Sequence, residues 1–328
     1  MSRVASEHYD FLFKSAERDG MCLIPGNSSA HRHCNYMVQC GKAVAPLQGM
    51  YARSSYWESL SFDRRHLHMV RTLSKLHPDW VFSHHTAALI HGLYVAYPDI
   101  RQIHRCVAYG TRNGPGPICS HALGNREYEL VDSIKVVSFE QTVLDCLRIL
   151  DFKQALAIAD SSCRVKGMTP GELMMAINAK ASKHLSGMET ARLAIRHANP
   201  LSESGGESIA RATMLMNGYE APKLQVEMPD LVDGESKYRV DFYWELPDGS
   251  KIIGEFDGRE KYTNSEMTRG REAVEVLADE RERESHINAL RIPVMRMSYS
   301  TVANQSKFIE VMEAFGVPHA DRPWPYGA

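Results

Sequence analysis

The sequence predicts an α/β chain, mixed α+β and multidomain, and three features carry that prediction. At 328 residues it exceeds what one small core accommodates, so two or three domains are expected. The turn-forming run Asn199-Pro-Leu-Ser-Glu-Ser-Gly-Gly206 marks a linker. Beyond it a helix from Glu207 to Asn217, a hairpin, a charged helix ending at Arg281-Glu-Arg-Glu284 and a strand at Val294-Met-Arg-Met297 succeed one another. The expected domains are 1–56, 57–198 and 199–328.

Composition narrows the class. Apolar content of 44% and charged content of 24% are those of an ordinary globular protein. No run reaches the length of a membrane span, and the first residues lack the apolar core of a signal peptide. Seven cysteines, an odd number with no Cys-x-x-Cys pair, point to reduced thiols in a cytoplasm and argue against structural zinc. Residues 1–199 hold 23 Lys and Arg against 17 Asp and Glu, a net of +6. Residues 200–328 hold 15 against 23, a net of −8. Phosphate contact is therefore easier through the first part, and the acidic end needs metal ions or neighbouring charge before it can approach a nucleic acid.

In residues 1–56, Tyr9, Phe11, Leu12 and Ala16 form a helical stripe that stops at Asp19-Gly20. Asn27-Ser-Ser29 caps a second helix, which ends at Gly41, and Val44 to Ala52 supplies two short strands turning at Gln48-Gly49. Helix, helix, hairpin is the winged-helix order, in which the second helix enters the major groove. Arg32 and Lys42 would then contact DNA. The alternative is a small cap that merely packs.

In the middle, Leu67, Val70 and Leu73 mark a helix over Asp63 to Leu76, interrupted by His77-Pro78. Val81-Phe82 reads as a brief strand, and Ser83 as the N-cap of an Ala-rich helix. His84, His85 and His91 on that helix read as structural, because no carboxylate follows at His-Glu-x-x-His spacing. Strands are expected at Ile103 to Ala108 and at Lys135 to Val137. The loop Gly110-Thr-Arg-Asn-Gly-Pro-Gly116 lacks the Gly-Lys-Ser/Thr of a phosphate loop. Ser138-Phe-Glu-Gln141 and Thr169-Pro-Gly-Glu172 each open a helix with a capping box, the second with Pro170 at its first position. Asp145 and Asp160 read as helix-face residues rather than catalysts.

The chemistry is concentrated near the end of the chain. Tyr238-Arg-Val-Asp-Phe-Tyr-Trp244, a Pro247-Asp-Gly249 turn and Lys251-Ile-Ile-Gly-Glu-Phe-Asp-Gly258 form a hairpin. Alternation sets Asp241 opposite Val240, Phe242 and Trp244, and sends Glu255 and Asp257 to a common face. Carboxylates gathered at the end of a hairpin repel one another unless a cation or protons separate them, which is the layout of a divalent-metal site.

Arg-Val-Asp-Phe followed by Glu-Phe-Asp-Gly resembles the compact PD-(D/E)XK nuclease-like domain related to very-short-patch-repair endonucleases, over about Leu201 to Phe315. The resemblance implies a restriction-endonuclease-like fold with a central mixed sheet flanked by helices. It also implies magnesium or manganese held by Asp241 and Glu255 and assisted by Glu207 on the preceding helix. Asp257 replaces the strand lysine of the superfamily, which leaves the positive charge to Lys251, Lys261 or Arg283. The glycine usual before the last strand is absent from Asn288-Ala-Leu-Arg-Ile-Pro293. Gly49-Met-Tyr-Ala52, Trp57, Ser83-His-His-Thr-Ala-Ala88 and His91-Gly-Leu93 are similar to AbiEi-type antitoxin-like proteins, as are Gln141-Thr-Val-Leu-Asp145 and the helix from Ala155 to Asp160. That family implies a winged helix followed by a mixed α/β domain, DNA binding and a partner toxin. The expectation is a cytoplasmic, bacterial, DNA-associated protein with no membrane partner. It would be either a magnesium-dependent endonuclease, on DNA or RNA, or an inactive antitoxin-like repressor.

Overall fold

A computed structural model describes residues 3–96, 100–110, 113, 115–122, 127–182, 184–234, 236–257, 281–283, 285–321 and 324, with side chains from residue 8 onward. Lys261, one of the expected cations, lies outside them. The chain divides into two compact units, Met1–Cys146 and Leu147–Ala328.

The first unit opens with α1 (Arg3–Arg18), α2 (Ser28–Gln39), β1 (Ala43–Val44) and β2 (Ala52–Arg53), the strands pairing antiparallel. Asn27 caps α2 by accepting from the Ala30 amide at 2.9 Å. Phe13, Leu23, Cys34, Ala43 and Tyr51 form one buried cluster across these elements. Arg53 ties the hairpin to α1 through Glu17 Oε1 at 2.7 Å and Asp10 Oδ1 at 3.1 Å. Two residues per strand make a very short hairpin, held more by this packing than by its ladder.

Next come α3 (Ser54–Ser59), α4 (Phe62–Leu76) and α5 (His84–Ile90). They precede a parallel pair, β3 (Ile103–Val107) with β4 (Ile118–Ala122), and an antiparallel pair, β5 (Tyr128–Val131) with β6 (Ile134–Val137). Val81-Phe82, expected as a strand, joins the two pairs. Phe82 bridges to both Arg105 and Val136, its amide donates to Lys135 O at 2.9 Å, and Val81 O accepts from Cys106 N at 2.7 Å. Phe82, Ile103, Val136 and Val70 of α4 are all at or below 1% exposure, so the core runs beneath this joined sheet. The helix α6 (Phe139–Leu147) comes after β6.

The second unit begins with α7 (Phe152–Lys166), α8 (Pro170–Lys180), α9 (Met188–Arg196) and α10 (Gly205–Met216). Thr169 and Glu172 form the expected reciprocal capping box, with Pro170 at the first helical position. The expected boundary at 198/199 is not where the units part. Arg211 of α10 donates to both carboxylate oxygens of the buried Asp160 of α7, at 2.7 and 2.8 Å. The Asn199 amide joins the same carboxylate at 2.7 Å, and Arg211 also donates to His197 O at 2.7 Å. Asn199 to Gly206 is therefore a fixed connection rather than a loose linker, and α7 to α9 belong to the same unit as α10. Asp160, as expected, lies on a helix face, and that face is buried, where its carboxylate clasps Arg211.

A four-stranded sheet comes next: β7 (Lys223–Pro229), β8 (Lys237–Glu245), β9 (Lys251–Asp257) and β10 (Val294–Ser298). Their order is β10-β9-β8-β7, with β7–β8 and β8–β9 antiparallel and β9–β10 parallel. The predicted turn joins β8 to β9, with Gly249 at φ +82° and Asp248 Oδ1 accepting from Ser250 N at 2.9 Å. Ala210 and Met214 of α10 pack with Phe242, Trp244, Phe256, Met295 and Met297, joined by Phe308 and Met312 of the helix Gln305–Ala314. Met228, Val240, Tyr243, Ile253 and Ile287 form a second cluster. Val240 thus parts company with Phe242 and Trp244, contrary to simple alternation. On β7, Leu224 and Met228 divide between the same two clusters. Both strands change their packing at Gln225 and Asp241, and Gln225 sits there at φ +52°.

Candidate functional site

Glu207 stands in the first turn of α10. Ser204 caps that helix, its Oγ accepting from Glu207 N at 3.2 Å, and Glu207 Oε2 turns back to accept from Glu203 N at 2.8 Å. The helix start presses on the sheet at Gly206, where an added Cβ would lie 2.1 Å from the Phe256 ring. Only glycine allows that approach, and it seats Glu207 beside the end of β9.

Asp241 is held from both sides. Across β7–β8 the pairs Leu224 with Phe242 and Val226 with Val240 set Gln225 opposite it. Gln225 Nε2 donates to Asp241 Oδ1 at 3.3 Å and to Glu207 Oε2 at 3.1 Å. Toward β9 the ladder runs to Phe242 with Gly254, and beyond that pair Asp241 Oδ2 accepts from Phe256 N at 2.9 Å. A carboxylate thus takes a main-chain donor where the strand pairing ends.

Glu255 is 4% exposed and accepts from Arg283 Nη2 at 3.1 Å. The same nitrogen donates to Arg239 O at 3.1 Å. Asp257 accepts from Arg296 Nη1 at 3.3 Å, and the parallel register sets Arg296 beside Glu255. Of the expected cations, Arg283 is therefore brought to the carboxylates. Lys251 is not. It opens β9 and Asp257 closes it, which at about 3.3 Å per residue separates them by roughly 20 Å.

Burial, and then the charge of Asp241, raise the Glu207 pKa above its ordinary value. The Gln225 amide puts its positive N–H groups between the two carboxylates, as a cation there would sit. The group's acceptors are all oxygens, the kind magnesium or manganese takes, but among the described residues Glu207, Asp241 and Glu255 do not converge closely enough to share one ion as they stand. A second polar cluster fixes the helical residues 281–283 and 285–288 that carry Arg283. Asp230 Oδ2 accepts from the Tyr238 hydroxyl and lies 2.9 Å from His286 Nδ1. Burial pushes Asp230 up, but hydrogen bonds from Tyr238, His286 and the amides of Val232 and Asp233 outweigh it and hold this carboxyl well below the usual range.

The structure thus links Glu207 to Asp241 through Gln225, and pairs Glu255 with Arg283 and Asp257 with Arg296. Sequence reasoning missed Gln225, Arg296 and the Phe256 amide. The signal for Gln225 was a third strand preceding the hairpin, which sets a residue opposite Asp241.

In the first unit, Arg32 and Lys42 are exposed, as are Tyr36 and Gln39 on the same side of α2 as Arg32. His66 and His91 are structural: His66 Nε2 lies 3.0 Å from Thr86 Oγ1, and His91 Nε2 lies 3.1 Å from Val137 O. Among the described residues no helix is long and apolar enough to cross a membrane. No family profile, curated protein or solved structure matches this chain.

Proposed function

We propose that the second unit is a magnesium-dependent phosphodiesterase of the PD-(D/E)XK type acting on DNA. The observation that carries this reading is the Gln225 amide shared by Glu207 and Asp241, on a helix start and a strand that meet where β8 and β9 separate. Asp241, Glu255 and Glu207 would hold the ion, magnesium or manganese. When bound, it supplies a Lewis acid and lowers the pKa of attacking water. Asp241 is oriented for this by Phe256 N, and Gln225 keeps Glu207 turned toward it. With an ion on Glu255, the Arg283 guanidinium beside it would supply the positive charge of the missing strand lysine near the scissile phosphate. Arg296 keeps Asp257 neutralised beside it.

The test is plasmid nicking with magnesium. Wild type should nick, and Asp241→Ala should lower the rate by at least about 100-fold while leaving duplex affinity nearly unchanged, because the ion acts mainly on the transition state. Cleavage that persists in Asp241→Ala would place the chemistry elsewhere. A second reading, a DNA-binding repressor of the antitoxin type with a partner toxin and no nuclease activity, draws on the exposed face of α2 with Arg32 and on Lys42. Absence of magnesium-dependent cleavage on duplex, single-stranded DNA and RNA would favour it.

A further inference from the structure

The parallel register of β3 and β4 sets His104 beside Cys119 and Cys106 beside His121. Because paired residues in a parallel ladder point the same way, His104, Cys119 and His121 share one side. His104 Nδ1 and His121 Nε2 are 2.8 Å apart, and with the Cys119 sulfur the three ligand atoms all lie within 4.8 Å of one another. Two further imidazoles wall the group. His84 stacks on His121 with centroids 3.6 Å apart, and His85 meets His104 edge-on at 5.1 Å. His84 does so from a left-handed backbone at φ +48°, a conformation that a bulky side chain keeps only where its surroundings impose it.

We propose that His104, Cys119 and His121 bind a divalent ion of the zinc class, at a site separate from the carboxylate group. Two nitrogens and a sulfur select zinc, cobalt or nickel over magnesium. Tetrahedral bonds of about 2.0–2.1 Å need ring nitrogens about 3.3 Å apart, a small opening from what is seen. Each ring has a nitrogen in the shared space whose lone pair can bind the ion. The Cys119 thiol gives up its proton to bind the ion. Asn113 is placed to stabilise the resulting thiolate: its Nδ2 donates to the sulfur at 3.2 Å, while its Oδ1 is anchored by Ser120 N at 2.8 Å. Cys119 and His121 are only partly buried, which leaves a way in and a fourth position open to water.

The full, reduced chain is titrated with cobalt(II) as the probe. One equivalent should give a near-ultraviolet thiolate-to-cobalt band with visible absorption of tetrahedral intensity. Zinc should abolish that band, and magnesium should leave it unchanged. Cys119→Ser should lose it, His121→Ala should weaken binding at least about 10-fold, and Asp241→Ala should keep it. In wild type, zinc should protect Cys119 from iodoacetamide while the exposed Cys40 still reacts. No charge-transfer band in wild type, a band that survives in Cys119→Ser, or equal alkylation of Cys119 with and without zinc would each overturn the proposal.

Discussion

Glu207 meets two opposed demands. Burial and Asp241 favour its protonated form, whereas holding a cation requires the carboxylate. With the folded pKa raised, its favourable contribution to stability is full below the ordinary value of 4.5 and is lost as pH rises through the folded value. At pH 7 without divalent ions, Glu207 is therefore a cost to folding. Glu207→Gln should melt above wild type there and converge with it below pH 4.5. Magnesium should reverse the order, because an ion at 100 times its Kd adds about 2.7 kcal/mol to the protein that binds it. Calorimetry across pH, with and without magnesium, checks both halves, and a variant that melts lower at pH 7 in chelator would refute the account. Gln225 makes the same compromise in geometric form. Its left-handed backbone is uncommon for a side chain of that size, and it is what aims the amide at both carboxylates.

Among elements, α7 and α10 are joined by an ion pair that solvent barely reaches, Asp160 at 0% and Arg211 at 5% side-chain exposure. Removing one partner strands the other charge. Arg211→Ala should cost about 3–5 kcal/mol in urea unfolding, and Asp160→Leu with Arg211→Met should recover most of that loss. Equal losses in the single and double variants would mean packing, not charge, sets the cost. The Pro247-Asp-Gly249 turn, the Thr169 capping box, the start of α10 and the first helices with their hairpin were legible because each rests on residues a few positions apart. What stayed hidden depends on partners far along the chain. Asp160 and Arg211 are 51 residues apart, and Arg283 lies 28 from Glu255. Arg296 reaches Asp257, and His104 reaches Cys119, only through parallel registers, which no local pattern encodes. Alternation was misleading at Val240 because a left-handed residue on the neighbouring strand turns the pair. Of the carboxylate group, its members were readable and its arginine partners only in part.

For the molecule as a whole, charge is divided along the chain, +6 over residues 1–199 and −8 over the rest. Duplex binding should therefore depend on the first part and be strongly salt-sensitive. Replacing Arg32 and Lys42 together by Ala should flatten the log–log salt dependence by roughly 1.8, about 0.9 per lost phosphate contact. Gel-shift titrations between low and physiological salt measure it, and an unchanged slope would leave residues 1–56 as a packing cap. The parallel pairing of β9 with β10 has a consequence during synthesis. β7, β8 and β9 are close neighbours in sequence, but β10 begins only at Val294 and must close a long excursion before it can pair. Until Val294–Ser298 leaves the ribosome, β9 is an unpaired edge running Lys-Ile-Ile-Gly before its acidic end, open to any neighbouring nascent strand. Glu255 and Asp257, both at the C-terminal end of that strand, then repel a second copy of themselves, so the same charges that crowd the finished site guard its edge while the chain is still incomplete.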